Sequence, residues 1–126
     1  MILDIGGEGR HPEAWNLNPR SLRTLGKQRG ESIPRLIQGR GERIPLADGS
    51  VGVVIAERTP INEETLAEMV RVATPRGTII LRHARAHERD PHRLAVQFLK
   101  GAIEQRTVKI GRQLLQETVI QLSPAQ

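Results

Sequence analysis

Apolar residues come along this chain in short runs broken by glycine, proline and charge, and their spacing changes from run to run. Ile2, Leu3 and Ile5 make a short strand with Asp4 inside it, running straight into Gly6, Gly7 and Gly9. Residues 14–18 (AWNLN) read as a second strand stopped by Pro19, and residues 35–39 (RLIQG) as a third. Val51–Glu57 (VGVVIAE) is a continuous apolar run, rich in β-branched residues and ending in a carboxylate. That length and composition predict a central strand buried on both faces. The period then changes. Leu66, Met69, Val70 and Ala73 form the one-sided stripe of an amphipathic helix, with Asn62 as its N-cap and Glu63 and Glu64 in the first turn. Residues 74–77 (TPRG) stop it. Residues 78–81 (TIIL) are a fifth strand, and residues 91–103 a second helix with Leu94, Ala95, Phe98, Leu99 and Ala102 on one face. Residues 107–112 and 115–122 lie so close in the chain that they predict an antiparallel hairpin. The order is β-β-β-β-α-β-α-β-β. This is an α/β chain with a mostly parallel sheet and an antiparallel hairpin at its end.

The connections refine that picture. Only residues 7–13 separate the first two strands, whereas a parallel crossover carrying a helix takes about ten to twelve residues or more. No helix fits there. Residues 19–34 carry Arg20, Arg23, Lys27 and Arg29 against Glu31, with Gly26 and Gly30 breaking any period. A single helical turn is expected over residues 21–25, and the rest reads as a solvated basic loop. Residues 40–50 are rich in turn formers, with Asp48-Gly49 the strongest pair.

At 126 residues the chain is expected to be one domain, residues 1–126. It has no cysteine, which excludes disulfides and thiolate metal sites. It opens on a strand, without a basic-then-apolar leader or an apolar run of spanning length, so a cytoplasmic protein with no membrane partner is expected. The net charge is +5, carried mainly by arginine, which suits phosphate and carboxylate groups. Trp15 and Phe98 are the only aromatic residues other than histidine, so a stacking surface for nucleic acid is not expected.

Candidate chemistry gathers at strand ends. Strand followed by close-spaced glycines can bring backbone N–H groups near an anionic or ribose-bearing ligand; it can equally be a tight turn after a buried strand. Glu57 ends the central strand, as either a functional carboxylate or the partner of Arg58 or Arg82. His83 ends the fifth strand, where it could act as a base, and His11 sits in the glycine loop. His83 and His87, with Asp90 and His92 close behind, carry metal-binding side chains, but in a polar loop; no metal is expected.

Residues 38–57, QGRGERIPLADGSVGVVIAE, together with residues 66–77, LAEMVRVATPRG, resemble the Rossmann-like S-adenosylmethionine-dependent methyltransferases of the type 11 kind. Residues 3–7 (LDIGG) resemble their first glycine motif, and residues 16–19 (NLNP) the end of their second strand. The resemblance implies S-adenosylmethionine as cofactor and methyl transfer to an unknown acceptor. It implies that Asp4, Gly6, Gly7, Glu8 and Gly9 face the methionine and ribose, that Asn16 or Asn18 bonds the ribose hydroxyls, and that Arg40, Gly41 and Glu42 flank the adenine. Glu57, Arg58 and Thr59 would line the transfer pocket, with Glu57 and His83 as the catalytic candidates. The chain departs from the pattern in Glu8 for glycine, asparagine for the ribose-binding acid, Arg40 for an adenine-contacting aspartate, and Gly52 for another aspartate. These departures support the alternative, a degenerate, non-catalytic, dimeric binding or regulatory module. The helices that do not fit all belong to one sheet face, so a second copy is expected to cover it, or failing that a different partner.

Overall fold

Seven strands make one sheet: β1 (Ile2–Ile5), β2 (Trp15–Asn18), β3 (Leu36–Gln38), β4 (Val51–Glu57), β5 (Ala73–Ala84), β6 (Gly101–Ile110) and β7 (Gln113–Leu122). The computed structural model describes residues 1–84 and 90–126. The strand order is β3-β2-β1-β4-β5-β7-β6, parallel from β3 to β5, with β7 antiparallel to both β5 and β6. The order reverses between β1 and β4, the position where open parallel sheets make a crevice beyond their strand ends.

Two helices cross one face. In α1 (Glu63–Val72) the Asn62 side chain accepts from the Thr65 N–H at 2.8 Å, the N-cap bond expected there. The second, α2 (Pro91–Phe98), is capped by Asp90, whose carboxylate accepts from the His92 N–H at 2.9 Å. Leu66, Met69, Val72 and Ala95 pack on Leu3, Ile5, Leu17, Val54, Ala56, Ile79, Leu81 and Ile120 as one core. Register partners share a face, so Ile2, Val53, Ile80 and Val119 lie on the opposite side, each half-buried. Among the described residues that side carries no helix. Arg71 ties α1 to the chain before β4, donating to the carbonyls of Ile44 and Leu46 and to Asp48 and Glu68.

The elements differ from expectation at three places. The second helix ends at Phe98 rather than residue 103, because residues 101–110 pair with β7 along ten positions. Phe98, expected on its buried face, is 60% exposed. β5 begins directly at the end of α1, and residues 74–77 form a bulge inside it: Val51 pairs with Ala73, and Val53 with Thr78. Residues 21–25 make no helical turn; Leu22 bridges Ser32, and the chain folds back on itself over residues 21–33. Part of the polar stretch after β5, including His87, falls outside the described residues.

Candidate functional site

The turn after β1 is held from beneath by two asparagines. Gly6 (φ +71°) donates its N–H to the Leu17 carbonyl at 2.7 Å. A Cβ on Gly7 would sit 2.3 Å from Asn16 Oδ1 and 2.5 Å from Asp4 Oδ2, so only glycine fits. Asn16 Oδ1 accepts from the Gly9 N–H at 3.2 Å, and its Nδ2 donates to the Pro34 carbonyl at 2.8 Å. Asn18 donates to the Gly7 carbonyl at 3.2 Å and accepts from the Arg20 N–H at 3.0 Å. Both asparagines are buried, and each has its carbonyl and amino ends engaged.

With no helix to carry the chain away, residue 10 returns over the strand it has just left. Arg10 grips the fully buried Asp4 with two bonds, Nε to Oδ2 at 2.9 Å and Nη2 to Oδ1 at 2.6 Å. This is the fork geometry in which arginine binds carboxylates best. Burial nevertheless holds the Asp4 carboxyl above its ordinary pKa, with Arg10 offsetting part of the rise. Arg10 also stands 3.6 Å from Glu57, the next charge along the sheet.

From Glu57 the charges continue strand by strand on the helix-free face. Glu57, Arg82, Glu117 and Arg106 are successive register partners on β4, β5, β7 and β6. Arg82 reaches Glu57 at 3.2 Å and Glu117 at 2.6 Å, and Arg106 reaches Glu117 at 2.6 Å. Glu57 and Glu117 are almost wholly buried. Burial pushes the Glu57 carboxyl up, but Arg10, Arg82 and His11 together carry it below the usual value. Of this row the sequence pointed to Glu57 and its pairing with Arg82; Arg10, Arg106 and Glu117 were not singled out.

A cavity of about 390 Å³ opens above the ends of β1 and β4, at the reversal of strand order. Of the residues expected around a ligand, Gly6, Glu8, Gly9, Glu57, Arg58 and Thr59 line it. Asp4 and Gly7 lie beneath. Asn16, Asn18 and the turn of Arg40, Gly41 and Glu42 are not among its lining residues; Gly41 packs against Thr65 and Ile5. The far wall comes from the 21–33 excursion, pinned by Glu8: its carboxylate accepts from Thr24 Oγ1 at 2.5 Å, the Thr24 N–H at 2.8 Å and the Leu25 N–H at 3.3 Å. A second, more apolar groove of about 450 Å³ runs between α1 and α2, away from the strand ends.

His83 turns to other partners. Its Nε2 lies 2.7 Å from the Thr59 carbonyl, which can only accept, so Nε2 carries the proton. Its Nδ1 then accepts from His92 Nε2 at 3.0 Å, and His92 Nδ1 accepts from the Thr118 hydroxyl at 2.6 Å. Thr118 in turn accepts from Gln105 at 3.2 Å. The ring-to-ring bond needs one unprotonated nitrogen, so the two histidines cannot both be charged while it holds. Burial holds His83 below its ordinary pKa, and burial with the neighbouring His83 brings His92 down to about 4.

Several of the solved structures similar to this chain are methyltransferases. One is a SAM-dependent methyltransferase from Aquifex aeolicus, 14% identical over 96% of this chain and 81% of that one, with a TM-score of 0.61. Another is a mutant of the 16S rRNA (adenine(1408)-N(1))-methyltransferase from Catenulisporales acidiphilia, 17% identical over 99% and 86%, TM-score 0.61. A third is the 1,6-didemethyltoxoflavin-N1-methyltransferase of Burkholderia thailandensis with S-adenosylhomocysteine bound, 10% identical over 97% and 70%, TM-score 0.66. Neither a family model nor a curated protein matches the sequence. The chain thus has the Rossmann-like fold of the S-adenosylmethionine-dependent methyltransferases, and its cavity lies where that fold keeps its ligand crevice.

The cavity's place and size suit a cofactor of that class. Its polar contacts, as arranged, do not. Both oxygens of Asp4, which the resemblance implied would face the methionine and ribose, already hold Arg10, and Asn16 and Asn18 spend their amides on the chain's own backbone.

The histidine pair makes a pH prediction. Because both folded-state pKa values are lowered, the unfolded chain takes up protons first, and stability should fall as pH drops from about 6.5 toward about 4. A pKa that falls by one on folding corresponds to about 1.4 kcal/mol. Glu57 and Glu117, whose pKa values are lowered from 4.5, add their loss below that window. Urea unfolding across this range should show the slope, flattened between pH 5 and 6.5 in His92→Gln; an unchanged slope would contradict the neutral pair.

Proposed function

We propose that this chain is a methyltransferase-like binding module in which the cofactor's polar contacts have been taken over by the protein's own side chains. The observation that carries this reading is the Arg10 guanidinium on Asp4, set where a cationic ligand group would otherwise be received. The engaged amides of Asn16 and Asn18 support it from the ribose side. His83, with both ring nitrogens bonded inside the fold, serves in this reading as a structural residue rather than a base. A second reading keeps S-adenosylmethionine as cofactor, admitted when Arg10 moves aside; the cavity at the strand-order reversal, with Glu57 at its edge, favours it. Two of these similar structures carry different substrate names and one carries none, so in that reading the fold leaves the methyl acceptor open.

The module is proposed to work as a homodimer in the cytoplasm. Ile2, Val53, Ile80 and Val119 form an apolar strip on the helix-free face, and beside it runs the row of alternating charges. The charges of that row are met within the chain, so the apolar strip is the part that a second copy would cover. Among the described residues no helix is long and apolar enough to cross a membrane.

Two measurements test these readings. Calorimetric titration with S-adenosylhomocysteine should give no saturable heat up to millimolar ligand; one-per-chain binding at micromolar strength, lost in Asp4→Ala, would establish the second reading. Light scattering on the purified protein should give twice the chain mass of 14.0 kDa, returning to one chain mass in Ile80→Glu. A wild-type protein that scatters as a single chain at micromolar concentration contradicts the dimer.

A further inference from the structure

The charge row balances itself, and the cavity above it does not. Asp4, Glu57 and Glu117 are met by Arg10, Arg82 and Arg106, three carboxylates to three guanidiniums. What remains at the cavity wall is Arg23 and Arg58 against Glu8. Glu8 is turned toward Thr24 and Leu25 and accepts three hydrogen bonds there, so its charge is spread over the excursion it pins. Two guanidiniums are left facing the space.

Each shows a sign of waiting for a partner. Arg23 lies over the glycine loop, its Nη2 3.1 Å from where a Cβ on Gly9 would be. Its Nη1 donates to Gln28 at 2.8 Å, but its Nε is buried with no acceptor. A buried donor left unpaired is costly, and the guanidinium that carries it is therefore only partly satisfied within the chain. Arg58 is held in the left-handed region at φ +52°, where a non-glycine residue is strained. Its N–H is fixed to the Arg82 carbonyl at 2.8 Å and its Nε to Gln113 at 2.8 Å. Its Nη1 is 3.7 Å from Glu57, too long for a hydrogen bond. These two bonds hold the guanidinium at the cavity mouth. The glycine N–H groups of the loop are already engaged: Gly6, Gly7 and Gly9 donate to the Leu17 and Asp4 carbonyls and to Asn16. Opposite, Leu25 is 73% exposed and gives the rim an apolar platform.

We infer that this cavity binds an anionic small molecule, its phosphate or carboxylate group clamped between Arg23 and Arg58 and its apolar part laid on Leu25. The forked donors of arginine match both oxyanions. The inference rests on the reading in which Arg10 occupies the cofactor's cationic contact, since that leaves the cavity with only its surplus positive charge. The class is opposite in charge to the cofactor's sulfonium and ammonium groups.

The test is calorimetric titration with inorganic pyrophosphate and, separately, with citrate, at fixed ionic strength. At least one should bind once per chain, weakened tenfold or more in Arg23→Gln, while the exposed Arg112→Gln leaves binding unchanged. Pyrophosphate alone identifies a phosphorylated ligand, citrate alone a carboxylate, and binding of both the shared oxyanion chemistry. Arg58→Gly guards against a folding artefact: glycine relieves the positive φ, so this variant should unfold at equal or higher urea and still lose affinity tenfold. No binding of either probe at millimolar concentration, or binding that survives both variants, overturns the inference. S-adenosylhomocysteine run in parallel separates the two ideas. Heat from it defeats the reading that the cofactor contact is taken. Silence from all three ligands defeats the anion site alone.

Discussion

Three carboxylates lie out of water at the carboxyl end of this sheet, and the arrangement around them follows from the need to meet each with a cation. Asp4 and Glu117 are at most 1% exposed and Glu57 2%. An isolated charge in such a place is prohibitively costly, and removing one partner from a buried pair costs on the order of 3–5 kcal/mol. Arg10, Arg82 and Arg106 therefore fix more than local geometry. Glu57, Arg82, Glu117 and Arg106 are cross-strand partners, so a slip of one residue in β5, β6 or β7 would carry a charge to the helix-covered side of the sheet. The row thus specifies register where the apolar pattern alone is permissive. It also lets part of the uncovered face be polar yet dry, leaving only the strip from Ile2 to Val119 in want of cover.

The same constraint links the shortened crossover to the state of the ligand crevice. A helix after β1 would lead the chain away along the sheet and leave its N-terminus aimed at the crevice. Here residues 6–14 make the whole connection, the glycine N–H groups turn inward to Leu17, Asp4 and Asn16, and Arg10 falls directly onto Asp4. The short connection and the contact of Arg10 with Asp4 are two aspects of one structural feature. What remains beyond the ends of β1 and β4 is a cavity walled on its outer side by the 21–33 excursion.

Much of this was legible along the chain. The succession of elements in the middle of the chain, the Asn62 cap, the buried run of β4 and the impossibility of a helix before β2 depend on local spacing and chain length, which a sequence displays directly. Glu57 was legible as a charge at the end of an apolar strand, with Arg82 as a partner. Arg106 and Glu117 were not, because their roles depend on strand register between residues far apart in the chain, and no periodicity encodes that. The end of α2 was missed for a related reason. Phe98, Leu99 and Ala102 continue a helical stripe, but ten positions of pairing with β7 outweigh it, and only the folded sheet supplies those partners. The asparagines mark the limit on the functional side. Their place at the end of β2 was visible; that their amides serve the turn above rather than an incoming ligand depends on how closely Gly7 packs against Asn16.

The most direct test of the account is a double-mutant cycle on Asp4 and Arg10, using Asp4→Asn, Arg10→Gln and the double variant, with stability read from urea unfolding. If Arg10 holds the buried carboxylate as described, each single change destabilises and the two are coupled by more than about 1 kcal/mol, the double variant recovering much of the loss. Additivity within about 0.5 kcal/mol would mean that Asp4 does not depend on Arg10, and that its carboxylate is not taken up by this contact.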